Sequence, residues 1–136
     1  MVVGVGLRTS SRLSVLVVDD ELDTLEFLQD FLSLEGFEVT TLRDPTLAVE
    51  RLRNHVFHLV VVDVMMPKLS GFELLAQIRA FDDDITVVMI NTNILHDPEA
   101  TSIELGVSAQ LGAPIAVADF RDALARIENE NGFGGH

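Results

Sequence analysis

Three short segments of the chain are apolar at nearly every position and rich in β-branched residues. They are Leu13–Val18, Leu59–Val62 and Ile85–Ile90. Apolar runs of this length are typical of strands buried on both faces of a parallel sheet. Phe37–Leu42 alternates apolar with polar residues, and Val107–Leu111 does so weakly, which is typical of edge strands. The pattern therefore predicts three interior strands and two edge strands.

Segments with helical spacing of apolar residues separate these strands. The first, Glu21–Glu35, carries leucines at every third or fourth position, and Gly36 suits its C-terminal cap. The second begins with Asp44–Pro45, a capping residue followed by a first-turn proline, and is predicted to turn Leu47 and Leu52 inward. The other helices are predicted at Ser70–Ala80, from Asp97–Pro98 to near Gly106, and around Val117, Phe120, Leu124 and Ile127.

Five repeats of strand and helix predict an α/β domain of the flavodoxin-like, doubly wound (βα)5 type. With right-handed crossovers and strands 1, 3 and 4 inside, the parallel five-stranded sheet has the order 2-1-3-4-5. Ligands of such folds bind at the carboxyl ends of the strands, where the order reverses between strands 1 and 3. We expect this domain at residues 13–128, with an N-terminal extension at 1–12 and a flexible, Gly-rich tail at 129–136.

The composition excludes or disfavours several classes of partner and site. The 136 residues suit one domain, and the net charge of −13 disfavours direct binding to nucleic acid or to anionic membranes. Cysteine is absent, which excludes disulfides, thiolate metal sites and a cysteine nucleophile. No apolar stretch is long enough to span a membrane, and the N-terminal residues lack the features of a secretory signal. We therefore expect a cytoplasmic protein.

Acidic residues follow two of the predicted interior strands. Strand 1 leads into Asp19, Asp20 and Glu21, and strand 3 leads into Asp63. The predicted topology brings these carboxylates together, where their like charges cost free energy unless a cation offsets them. Mg²⁺ is the predicted cation, because it binds carboxylate oxygens and favours phosphate chemistry. The alternative is that these residues only cap a helix and the strand ends.

The segments VLVVDDE and VVVDVMMPKLSG closely resemble the receiver domain of two-component response regulators, and the resemblance spans residues 13–128. It implies that Asp63 is the phosphoryl-accepting aspartate. It also implies that Asp19 and Asp20 hold Mg²⁺, directly or through water, together with Asp63 and the backbone carbonyl of Met65. Met66, Pro67 and Gly71 correspond to the family's turn into the third helix.

The sequence departs from this family at two positions that contact the phosphoryl group. Asn91 stands where the family has a Thr or Ser, and Ala113 stands where it has a Lys. Thr92 could replace the hydroxyl only if the strand end shifted by one residue, which would reverse the side-chain face. Gln110 occupies the place of the family's switch aromatic residue. The nucleophile and metal ligands are thus present, while the residues that read out phosphorylation are missing.

This combination of present and missing residues leaves two functions open. One is a phosphoacceptor that takes a phosphoryl group on Asp63 from a sensor histidine kinase or phosphotransfer protein. Such a domain is not an enzyme, and at most it catalyses its own phosphorylation and dephosphorylation. The other is a pseudo-receiver, an interaction module that works without phosphorylation. An aspartate-nucleophile phosphatase is disfavoured, because Met65 stands where such enzymes have a second Asp. The family resemblance also implies a homodimer or partner contact through the fourth helix, fifth strand and fifth helix.

Two other charged features receive simpler interpretations. Lys68 lies on the loop after Asp63 and could reach the acidic pocket, but a solvated loop lysine is the preferred reading. Asp82–Asp84 is predicted to be a solvated turn on the opposite side of the sheet.

Overall fold

A computed structural model describes residues 13–91, 109–112 and 121–126 of the chain, with the backbone alone for residue 91 and residues 109–112. Helices and strands alternate through the first of these ranges. The strands are β1 (Ser14–Val18), β2 (Glu38–Leu42), β3 (Leu59–Asp63), β4 (Thr86–Asn91) and β5 (Ala109–Gly112); the helices are α1 (Leu22–Leu34), α2 (Ala48–Asn54), preceded by a 3₁₀ turn at Pro45–Leu47, and α3 (Gly71–Phe81).

The strands form a parallel sheet in which β1 lies between β2 and β3, and β3 lies between β1 and β4. Val18 is paired with Leu42 on one side and with Val62 on the other. This arrangement confirms the predicted parallel sheet and the order 2-1-3-4. The backbone of Ala109–Gly112 runs parallel beside β4.

Side chains of the central strands are buried on both faces of the sheet. Val15 and Val17 of β1 pack with α1, and Leu16 and Val18 pack with α2 and α3 on the other face. Every residue of β3 is buried. A strand covered on both faces has no polar side, which explains the continuous apolar runs in the sequence.

Helix α1 ends where the sequence predicts. Gly36 has a φ of +99°, a left-handed conformation that glycine adopts without the steric cost of a Cβ. The leucine spacing of α1 is only partly a core pattern, since Leu22 in the first turn is 51% exposed while Leu28 and Leu32 are fully buried. Arg121 is the first described residue of a helical segment at 121–126, and it forms an ion pair of 3.0 Å with Glu35, the residue after α1.

The second helix corrects one prediction. The Asp44 side chain accepts a hydrogen bond from the Thr46 N–H, as an N-cap does, but the first turn after it is 3₁₀. Leu52 is buried as predicted, whereas Leu47 is 42% exposed and does not face inward. A 3₁₀ turn has about 3.0 residues per turn instead of 3.6, so the side-chain directions differ from those that α-helical spacing predicts.

Helix α3 begins with a capping box in which Ser70 accepts from the Glu73 N–H at 3.1 Å and the Glu73 carboxylate accepts from the Ser70 N–H at 3.0 Å. Its core residues Leu74, Leu75 and Ile78 are fully buried, as predicted. The predicted helix after Asp97 and the ends of the predicted fifth helix lie outside the described residues. No helix in the described ranges is long and apolar enough to cross a membrane.

Candidate functional site

The pairing of β1 with β3 brings the acidic residues at their ends together. Asp19 directly follows β1, and Asp63 is the last residue of β3. Because Val18 pairs with Val62, the next residues of both chains lie side by side at the carboxyl edge of the sheet. Oxygen atoms of Asp19, Asp20 and Asp63 all lie within 4.8 Å of one another. We call this group of three carboxylates the acidic pocket.

The carboxylates of the acidic pocket are withdrawn from solvent. Asp19 is fully buried, Asp63 is 2% exposed, and Asp20 is half-buried. Backbone amides of the following loops hold two of them: the Glu21 N–H donates to Oδ1 of Asp19 at 2.9 Å, and the Met65 N–H donates to Oδ1 of Asp63 at 3.1 Å. Oδ2 of Asp19 is buried and has no hydrogen-bond partner in the described part of the chain.

Burial raises the pKa of Asp19 from its ordinary value of 3.8 to about 7. The hydrogen bond from Glu21 lowers this pKa in part, while the nearby carboxylates of Asp63 and Asp20 raise it further. Burial thus disfavours the charged form of Asp19, and the neighbouring carboxylates add to this effect.

A divalent cation fits this donor set. All the side-chain ligands that the pocket offers are carboxylate oxygens, which are the donors preferred by hard cations such as Mg²⁺. The partnerless Oδ2 of Asp19 is the observation that favours a ligand, because a buried carboxylate oxygen without a partner is costly.

The loop that carries Asp63 packs directly on the first turn of α3. The Gly71 N–H donates to the Val64 carbonyl at 2.7 Å. A Cβ at position 71 would lie 2.4 Å from the backbone oxygen of Asp63 and 2.6 Å from the Cα of Val64. Only glycine permits this approach, so Gly71 helps to set the position of the Asp63 backbone.

Two basic residues lie beside the acidic pocket, and they make different contacts. Nζ of Lys68 lies 3.3 Å from Oδ2 of Asp44, and the Lys68 side chain is 65% exposed. Lys68 therefore pairs outside the pocket, in accord with its interpretation as a solvated loop lysine. Arg43, directly after β2, donates from Nη2 to the backbone oxygen of Asp20 at 3.1 Å. Sequence reasoning missed Arg43, although the position directly after strand 2, next to strand 1 in the predicted sheet, was a usable indication.

The remaining predicted positions are described only in part. Met65 is 45% exposed beside Asp63, and its amide holds the Asp63 carboxylate. The backbone of Asn91 ends β4, while Thr92 and Ala113 lie outside the described residues. Gln110 is within β5.

The second acidic group, Asp82–Asp84, lies between α3 and β4. Its oxygens also lie within 4.8 Å of one another, but Asp83 and Asp84 are exposed. Arg79 donates at 2.6 Å to the backbone oxygen of Ile85, immediately after this turn. Burial lowers the pKa of Arg79, and the neighbouring aspartates favour its charged form. The arrangement is that of a charged surface turn.

Comparison with known proteins assigns the chain to one family. The family model described as "Response regulator receiver domain" matches residues 15–125, most of the chain. The chain belongs to the response regulator receiver domain family. This confirms the resemblance that the motifs around Asp20 and Asp63 indicate.

Relatives of this receiver domain include regulators of transcription. The chain is 36% identical over 114 residues to the transcriptional regulatory protein CpxR homolog of Haemophilus influenzae, covering 84% of this chain and 48% of that protein. It is 33% identical over 120 residues to the transcriptional regulatory protein PrrA of Mycobacterium tuberculosis, covering 88% and 49%. The chain thus spans about half the length of the curated relatives it matches.

A solved structure supports the same assignment. The response regulator receiver domain protein of Clostridium thermocellum superposes with a TM-score of 0.77 at 26% sequence identity, over 86% of this chain and 94% of that one. The overlap runs through nearly all of the other protein, so the described part of the chain has the receiver-domain fold.

Proposed function

We propose that this receiver domain accepts a phosphoryl group on Asp63 in the presence of Mg²⁺ and acts through protein–protein contacts in two-component signalling. The observation that carries the proposal is the acidic pocket itself. Three carboxylates at the ends of two neighbouring strands meet within 4.8 Å, and a buried oxygen of Asp19 lacks a partner in the described part of the chain. Such a group of like charges costs free energy unless a cation offsets it, which favours a site that binds one.

Asp63 is the nucleophile in this proposal. A carboxylate oxygen of Asp63 forms a bond to phosphorus while the bond from phosphorus to the leaving nitrogen or oxygen breaks, and the leaving group keeps the electron pair. The products are the acyl phosphate of Asp63 and either acetate or a neutral histidine, the latter when the other ring nitrogen of the phosphohistidine carries a proton. The Met65 N–H holds Oδ1 of Asp63 and so orients the carboxylate for attack.

Mg²⁺ would be held by Asp19, Asp20 and Asp63 and by the backbone carbonyl of Met65. When bound, the ion neutralises charge that builds up between the carboxylate and the phosphoryl oxygens. Asp19 contributes by burial and by its hydrogen bond to the Glu21 amide, which fix its position before any ion arrives.

The partners in this proposal follow from the family. A sensor histidine kinase or phosphotransfer protein supplies the phosphoryl group, and the face of the predicted fourth helix, fifth strand and fifth helix forms a homodimer or binds the target. The proposal includes the complete (βα)5 fold, with β5 as the outer strand of a five-stranded sheet. It places the domain in the cytoplasm and gives it no direct contact with nucleic acid or membrane.

The pseudo-receiver is the second candidate, and specific residues favour it. Ala113 offers no side-chain hydrogen bond, and removal of a charge-assisted hydrogen bond typically costs about 1.5–3 kcal/mol. Asn91 keeps a donor but lacks the small hydroxyl of Thr or Ser. Phosphorylation of Asp63 would then change the surface little, and binding to partners would not depend on it.

Intact-mass measurement separates the two candidates. The protein is incubated with phosphoramidate and Mg²⁺ beside an Asp63→Asn variant. The proposal predicts the gain of one phosphoryl group by the wild type and no gain by the variant. No gain by a wild type that binds Mg²⁺ would reject the phosphoacceptor and favour the pseudo-receiver.

A further inference from the structure

Arg43 is a basic residue in direct contact with the acidic pocket. Its Nη2 donates a hydrogen bond to the backbone oxygen of Asp20, a residue of the pocket, at 3.1 Å. The backbone of Asp19 also lies next to that of Arg43, because the Asp19 N–H donates to the carbonyl of Leu42, the residue before Arg43. The backbone therefore fixes the start of the Arg43 side chain at the edge of the pocket.

The guanidinium group of Arg43 keeps most of its hydrogen-bonding capacity. The group has five N–H donors, and one of them is used in the contact with Asp20. The residue is exposed, so its other donors are accessible from solvent. Lys68, the other basic residue nearby, is held 3.3 Å from Asp44.

The family resemblance places a lysine at this site, and Ala113 stands at that position of the sequence. Ala113 cannot neutralise or bind an incoming anion. A phosphoryl donor must nevertheless approach three carboxylates in a protein of net charge −13, which repels it.

We propose that Arg43 is the cation that attracts and orients the anionic phosphoryl donor at the acidic pocket, from the β2 side of the site and in place of a lysine after β5. This inference rests on the proposed function and adds a donor-binding residue to it. Its chemistry suits a phosphate-bearing anion, because a guanidinium fork matches the geometry of phosphoryl oxygens.

A purely structural role for Arg43 predicts a different result. If Arg43 only held the Asp20 loop in place, its removal would disturb the metal ligands and weaken Mg²⁺ binding. If it acts through its charge, its removal lowers the affinity for an anionic donor but relieves repulsion of the Mg²⁺ cation. The two roles therefore differ in the sign of the change in Mg²⁺ affinity.

The test compares wild type with Arg43→Gln and Arg43→Lys. Arg53→Gln is the matched control, because Arg53 is exposed at the end of α2 and its loss changes the net charge equally. Phosphorylation by phosphoramidate is followed by intact mass over a range of donor concentrations. Mg²⁺ binding without donor is measured by calorimetry.

Arg43→Gln should raise the half-saturating donor concentration about two- to fivefold at low ionic strength, with an unchanged maximal rate. Its Mg²⁺ affinity should be equal to or higher than that of the wild type. Arg43→Lys should lie between the wild type and Arg43→Gln, because it keeps the charge but loses the guanidinium fork. Arg53→Gln should resemble the wild type, and 0.5 M NaCl should reduce the difference between the wild type and Arg43→Gln. The proposal is overturned if Arg43→Gln matches Arg53→Gln, or if it weakens Mg²⁺ binding.

One further arm separates this inference from the proposed function. Inorganic phosphate is titrated into the Mg²⁺-loaded wild type and Arg43→Gln and followed by NMR. If the wild type is never phosphorylated yet binds phosphate more tightly than the variant, the proposed function fails and the anion-binding role of Arg43 stands. Equal phosphate binding by both proteins rejects that role.

Discussion

At the scale of single residues, the described protein groups do not fully offset the free-energy cost of burying the carboxylates of the acidic pocket. Asp19 is fully buried among like charges, and one of its two oxygens has no partner in the described structure. The hydrogen bond from the Glu21 amide offsets only part of this cost, as the raised pKa of Asp19 indicates. The pocket therefore favours either a proton or a metal ion.

Asp19→Asn should stabilise the metal-free protein at pH 8 by about 1 kcal/mol, because it removes one of the clustered negative charges and adds a donor beside Asp63. Urea denaturation in the presence of a chelator measures the change. Asp30→Asn on the exposed side of α1 removes the same charge elsewhere and serves as the control. An Asp19→Asn protein less stable than both others would contradict the account.

The metal-free protein should lose stability as the pH rises from about 4 to about 7. The folded pKa of Asp19, about 7, is above its ordinary value of 3.8, so between these values the folded state holds a proton that the unfolded state has released. Such a difference makes the free energy of unfolding fall with rising pH. Denaturation midpoints across this range, compared with those of Asp19→Asn, measure the contribution. Equal slopes for both proteins would contradict it.

At the scale of elements, the site depends on the contact between the β3–α3 loop and the first turn of α3. Gly71 lies so close to the Asp63 backbone that any side chain there would displace one of the two segments. The capping box of Ser70 and Glu73 fixes the start of the helix at this point. Helix α3 thus acts as a support for the residue that the proposal makes the nucleophile.

Gly71→Ala should destabilise the protein by about 1–3 kcal/mol, because the added Cβ meets backbone atoms that cannot move aside like a flexible side chain. It should also reduce phosphorylation of Asp63. Thermal denaturation and intact mass measure the two effects. Gly36→Ala is the control, because it strains a positive φ in open space, distant in the chain from Asp63, and should cost stability without affecting phosphorylation. Unchanged stability and phosphorylation in Gly71→Ala would reject the supporting role.

The sequence predicts the elements well where burial alone decides the pattern. The strands β1, β3 and β4 are apolar because both of their faces are covered, so their continuous apolar runs can be recognised in the sequence. Apolar spacing wrongly predicts that Leu47 faces inward. A 3₁₀ turn changes the direction of this side chain, and the spacing does not reveal the turn type. Arg43 was missed because its contact is with a backbone oxygen brought near by strand pairing. Contacts of this kind depend on tertiary structure.

At the scale of the whole molecule, negative charge is unevenly distributed. The 13 residues of α1 include three acidic residues and no basic one, and Glu21 and Glu35 add to these at its ends. With a net charge of −13, the folded chain repels itself, and the acidic pocket lies within this field. Cations should therefore stabilise the protein both through general screening and through the site.

Mg²⁺ should raise the melting temperature beyond the effect of NaCl at matched ionic strength. At a concentration ten times its Kd, Mg²⁺ should add about 1.4 kcal/mol of stability, because it binds the folded pocket only. Asp63→Asn and Asp19→Asn should lose this added effect and keep the response to NaCl. Equal shifts in wild type and variants would show that Mg²⁺ acts as general salt.

The most direct test of the central claim is to locate the phosphoryl group in the chain. After incubation with phosphoramidate and Mg²⁺, the acyl phosphate is reduced with borohydride, which converts a phosphorylated aspartate into homoserine, and the peptides are sequenced by mass spectrometry. The account predicts homoserine at position 63 and at no other aspartate, and none when Mg²⁺ is removed by a chelator. Absence of homoserine at position 63 in the Mg²⁺-treated protein, or its presence at a different aspartate, would contradict the account.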